Sequence, residues 1–162
     1  MGYTLKVGNA VPVMEYNCNE YRKYLWTVES GTCVDAPTFP GDWSTGSIRS
    51  PSYSAWADFC RNVGLSHLLG DKSILLPEHP GVARIIPSDL EEVRDAIAEW
   101  KAKKWPTSER IPGWDPKTMS KPWLPAEELD PRYDGNLARL LWLEFWFDWA
   151  IKNCERPAFG NI

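Results

Sequence analysis

The chain has 162 residues, with 18 lysines and arginines against 22 aspartates and glutamates, for a net charge of −4. That length suits one domain with a core of its own, and the acidic balance argues against nucleic acid or an anionic membrane as partner, since both select a basic footprint. The most apolar stretch, 137–151, is too short to cross a bilayer and is broken by Arg139, Glu144 and Asp148.

Tyr3, Leu5 and Val7 alternate with Thr4 and Lys6, which predicts a half-buried strand. Gly8, Asn9 and Pro12 are expected to interrupt it. A second strand is expected over 22–29, with Tyr24, Trp26 and Val28 on one face and Ser30-Gly31 closing it. Residues 35–52 form a long polar loop, a kind of segment usually functional or disordered in compact domains. Phe39, Trp43 and Ile48 argue that it is anchored.

A helix is predicted over 53–62, capped by Ser50 or Ser52, with Pro51 suited to a first helical position and Gly64 as the stop. A short turn should follow over 65–69, then a third strand over 82–86. Ser88-Asp89-Leu90-Glu91 reads as a capping box opening a helix to about Lys104, with Leu90, Val93, Ile97 and Trp100 as its apolar stripe. Residues 105–135 hold six of the 14 prolines together with Trp105, Trp114 and Trp123, and read as a wrapping segment. The last helix should span 136–153, capped by Asp134 or Asn136. It is apolar on nearly every side and is therefore expected to be the core helix.

These elements predict an α+β fold: a small, mostly antiparallel sheet of two or three strands packed on a long buried C-terminal helix and an amphipathic helix, with long loops, in one domain over 1–162.

Two constellations could carry chemistry. In the first, Trp43, Thr45, Ser47, Arg49, Ser50, Ser52, Tyr53 and Trp56 lead into a helix N-terminus. Small hydroxyls, a guanidinium and free helix N–H groups are the parts of a phosphate site, and the aromatic rings could stack on a base. The plainer reading is a helix cap on a turn-rich loop, with Arg49 in an ion pair. In the second, Glu144, Asp148 and Lys152 share one stripe of the last helix. They form either an acid–base or metal-binding pair or that helix's solvated face. Arg156, in the polar segment after this helix, is a further ligand-binding candidate. Trp142, Trp146 and Trp149 read as core. His67 and His79 have no acidic or nucleophilic partner nearby in the sequence, and Cys18, Cys33, Cys60 and Cys154 have no zinc spacing, so neither metal nor cofactor is expected.

Gly8-Asn9-Ala10-Val11-Pro12, Asp35-Ala36-Pro37-Thr38-Phe39-Pro40, Arg49-Ser50-Pro51-Ser52-Tyr53-Ser54 with Trp56, and Trp149-Ala150 followed by Asn153-Cys154-Glu155-Arg156-Pro157-Ala158 occur in this order. Together they resemble a family of small proteins encoded by bacteriophages. The resemblance implies an origin and a host-cell cytoplasmic setting rather than a mechanism. The expected function is non-catalytic binding of a small anionic, nucleotide-like ligand, such as a host defence signal. The alternatives are a module that inhibits a host protein through 105–135, and a hydrolase or transferase using Glu144 and Asp148. The ten tryptophans are compatible with a homodimer or higher homo-oligomer.

Overall fold

The computed structural model describes residues 1–16, 22–39, 41–103 and 134–161. Nearly all of the wrapping segment expected over 105–135 lies outside the described residues. The α+β class holds. The sheet is larger than two or three strands: five strands and four helices are present among the described residues.

Strand β1 (Leu5–Tyr16) is antiparallel to β2 (Arg22–Ser30) over its outer part and to β5 (Pro157–Asn161) over its inner part. The short β3 (Ile48–Arg49) pairs with β1 at Lys6 and Leu5, and β4 (Gly81–Arg84) closes the far side on β5. The order is β2-β1-β5-β4, with β3 beside β1.

Gly8, Asn9 and Pro12 do not interrupt β1. The N–H of Ala10 points to the β5 side, where it donates to the Arg156 carbonyl at 2.8 Å. Two residues on, the Pro12 nitrogen faces that same side, but β5 pairs only as far as Asn9. Proline is tolerated where no partner strand needs its missing donor.

Helix α1 (Tyr53–Asn62) has the expected span. Its cap is Ser52, whose Oγ accepts from the Ala55 N–H at 3.2 Å. Pro51 therefore precedes the cap, and its carbonyl accepts from the Tyr3 N–H instead. The one-turn helix α2 (Ser66–Leu69) follows.

The capping box expected from Ser88 and Glu91 does not form. Helix α3 (Pro87–Ala102) starts two residues earlier, with Ile86 at the cap position, because a proline's fixed φ and missing N–H cost nothing at the first helical position. Asp89 then stands third and accepts from the Ile86 N–H at 2.8 Å. Glu91 turns outward to Arg94.

Helix α4 (Gly135–Asn153) is capped by Asp134, which accepts from the N–H groups of Asn136 and Leu137. The same carboxylate accepts from Trp100 Nε1 at 2.6 Å, tying the start of α4 to the end of α3. Leu140, Trp142, Leu143, Trp146, Phe147 and Ala150 are buried against α3, β1 and β5. Leu5 and Val7 of β1 and Phe159 of β5 complete the core from the sheet.

Candidate functional site

The loop from 31 to 52 is fastened to the body at several points. Ser47 is buried; its hydroxyl donates to the Gly31 carbonyl at 3.1 Å and its own carbonyl accepts from the Val7 N–H at 3.0 Å. Thr45 and Ile48 exchange two backbone hydrogen bonds that close a tight turn around Gly46. Gly46 sits at φ 56, a conformation glycine adopts without steric cost. Its carbonyl accepts from Trp142 Nε1 at 2.8 Å. Phe39 packs on Phe145 of α4, with ring centroids 5.9 Å apart.

Asp42 is the centre of this arrangement. Arg139 of α4 reaches it with both Nε, at 2.5 Å, and Nη2, at 2.7 Å. Arg49 donates from Nε at 3.0 Å. The Arg49 guanidinium also lies 5.8 Å from the centroid of Trp142, and that of Arg139 lies 5.7 Å from Phe59. Arg49 is 1% exposed. Burial pushes the Asp42 carboxyl upward, but the hydrogen bonds and charges of Arg139 and then Arg49 outweigh it and hold the group below its ordinary value. The Asp42 carbonyl also accepts from the Ser50 N–H at 2.8 Å.

The other residues singled out in this segment divide in two. Trp56 is buried and donates from Nε1 to the Leu69 carbonyl at 2.8 Å. Ser52 caps α1, and Tyr53 reaches His79, its phenol oxygen 3.1 Å from Nε2. Trp43 is 70% exposed, at the outer end of the clamped turn. Gly41, Asp42 and Trp43 have φ values of 91°, 54° and 49°, so two consecutive non-glycine residues occupy the left-handed region. Such residues cost about 1–3 kcal/mol each and persist where their surroundings over-determine them. Here the determinants are the two arginines on Asp42.

Glu144 and Asp148 are not near this segment's arginines. They flank Arg94 of α3, at 3.4 Å and 3.5 Å. Arg94 also holds Glu91 at 3.0 Å, and Lys152 holds Asp148 at 2.6 Å. The stripe is an ion-pair lattice joining α3 to α4 at the surface. Arg156 stands apart again: its guanidinium lies 5.4 Å from the centroid of the exposed Trp26, and its N–H donates to Asn9 Oδ1 at 2.8 Å. The eleven candidates therefore fall at three places, and the 42–56 segment gathers eight of them.

Two contributors had no role in the sequence reading: Asp42 and Arg139. Arg139 carried a usable signal, since a cation on an otherwise apolar helix must find an acid.

Cys60 is buried, and desolvation pushes its thiol up to about 12, leaving it a core side chain. Among the described residues, no group of three His, Cys, Asp or Glu side chains could hold a metal ion. No protein-family model, curated protein or solved structure matches the chain.

Proposed function

We propose that the protein is a non-catalytic binder of a small anionic ligand with a planar ring, in the class of nucleotide-derived signals, and that the 42–56 segment receives it. The observation that carries this reading is Trp43. A large apolar ring is held mostly in water on a turn whose backbone is strained at Asp42 and Trp43 and locked by the buried Arg49 and the half-buried Arg139. Pre-organised aromatic surface of this kind lowers the entropy lost on binding and stacks on any base. The resemblance to phage proteins supplies the setting, in which sequestering a host defence signal is the use of such a binder.

Arg49 supports the site from beneath rather than as a direct phosphate ligand, because its Nε is bonded to Asp42. A carboxylate-dependent hydrolase has less support, because Arg94 and Lys152 already engage Glu144 and Asp148. Inhibition of a host protein is the second reading. It is favoured by Val34, which is fully exposed on the same loop as Trp43.

Calorimetric titration with a panel of linear and cyclic nucleotides tests the first reading. Trp43→Ala should weaken the best ligand by about 10- to 100-fold, the worth of one stacked base, while leaving the thermal midpoint unchanged. Equal affinity in wild type and variant removes the stacking role. Binding of no nucleotide at all removes the reading.

A further inference from the structure

Strand β2 bends over the sheet and approaches β4, although β1 and β5 lie between them. Gly160 of β5 permits this: a Cβ there would stand 2.6 Å from Val28 Cγ2 and 3.5 Å from Val82 Cγ2. Val28, Val82 and Gly160 therefore share one face of the sheet. It is the face turned away from α4, since the neighbouring Phe159 packs on Phe147 of α4 with ring centroids 5.7 Å apart.

Alternation along the strands places two further side chains on this face. Trp26 stands two residues from Val28 on β2, and Arg84 stands two residues from Val82 on β4, paired with Ala158. The ladder runs on past Arg84, where the Ile85 N–H donates to the Pro157 carbonyl at 2.9 Å. Arg156 comes next and is the diagonal neighbour of Arg84. Its guanidinium lies 5.4 Å from the centroid of Trp26, and so on the same face. Diagonal neighbours stand about 7–8 Å apart, within reach of long side chains.

Their partners set these two arginines apart. Arg49 and Arg139 donate to Asp42, Arg61 to Asp58 and Arg94 to Glu91. Among the described residues Arg84 has no hydrogen bond and no ion pair. Arg156 has one carboxylate near its guanidinium, that of Glu155 at 3.9 Å, which is beyond hydrogen-bond distance. Glu29 of β2 pairs with Asn9 and by alternation from Val28 belongs to the opposite face. Two like charges are thus neighbours on one face of a sheet, an arrangement that opposes folding, in a chain with more acids than bases.

We propose that Arg84 and Arg156 form a second binding site, for the phosphate group of a small molecule, with Trp26 as its wall. Each guanidinium presents a planar fork of donors that matches phosphate oxygens, and a doubly charged anion removes the repulsion between the two. Trp26 holds the Arg156 guanidinium by a cation–π contact while remaining 48% exposed. A small phosphate fits this place better than a nucleic-acid strand, because the patch holds two cations on a protein of net charge −4. The site involves neither Trp43 nor Arg49, and it goes beyond the reading of the 42–56 segment.

The test is titration of the full chain with inorganic phosphate at constant ionic strength, followed through the arginine Nε–H signals by NMR. Saturable movement of the Arg84 and Arg156 signals is expected, while that of Arg61, exposed but paired with Asp58, stays in place. Arg84→Gln and Arg156→Gln should each weaken phosphate by about tenfold, the loss of one charge-assisted hydrogen bond. Arg61→Gln should leave the affinity unchanged. Wild-type Arg84 and Arg156 signals that phosphate moves no more than that of Arg61 would overturn the proposal. So would equal affinity in the wild type and in the folded double variant. Nucleotide binding that depends on Trp43, with the Arg84 and Arg156 signals unmoved by phosphate, would remove this site and spare the loop reading.

Discussion

Two clusters of arginine and carboxylate sit on α4 and use the same chemistry at similar distances, yet they belong to different worlds. Arg139, at the start of the helix, shares Asp42 with Arg49, and the side-chain exposures of the three are 15%, 11% and 1%. Glu144 and Asp148, further along, share Arg94 with Glu91 at the half-exposed rim between α3 and α4. In the first cluster, removing one member strands charges in a low-dielectric interior; in the second, water replaces whatever is lost. The buried cluster fixes the loop that presents Trp43, whereas the exposed one laces two helices together at their rim.

The largest effect should come from breaking the buried cluster. Asp42→Ala leaves two guanidiniums facing each other without an acid and should cost about 3–5 kcal/mol, read from the urea unfolding midpoint. A loss below about 1 kcal/mol would place the clamp with ordinary surface pairs. Acid should sharpen the same contrast. The unfolded Asp42 titrates near its ordinary value of about 3.9, and the folded carboxyl sits lower because of its arginines. The clamp's contribution is therefore complete above about pH 4 and is lost as the pH falls through the lowered value. Wild-type urea midpoints should drop over that interval more steeply than those of Asp42→Asn; parallel curves would show that the carboxylate contributes nothing. The smallest effect should be that of Arg94→Ala, which should leave the midpoint unchanged at physiological salt, where exposed charges are screened. A clear fall would show that the rim cluster holds α3 on α4 after all.

Much of the fold was legible because its signals are local. Ser52 and the spacing of Trp56 and Cys60 set α1, and the alternation in 22–29 set β2. The apolar run around Trp142 and Trp146 set α4 as the core helix. Strand β5 was missed because Pro157, Gly160 and Asn161 look like loop residues; the segment is extended only because β1 and β4 pair with it on both sides. The capping of α3 shifted by two residues because Pro87 took the first helical position. The site was less legible than the fold. Glu144 and Asp148 drew attention by standing on an apolar helix, while Asp42 drew none, because its partner Arg139 lies 97 residues away.

The sequence by itself determined which segments have an apolar face, where helices begin, and that α4 would lie at the centre. Tertiary structure alone decided which charges are buried and which are wet. Periodicity encodes the face a residue occupies on its own element, whereas the worth of a charge depends on the dielectric and the partners that distant elements bring to it.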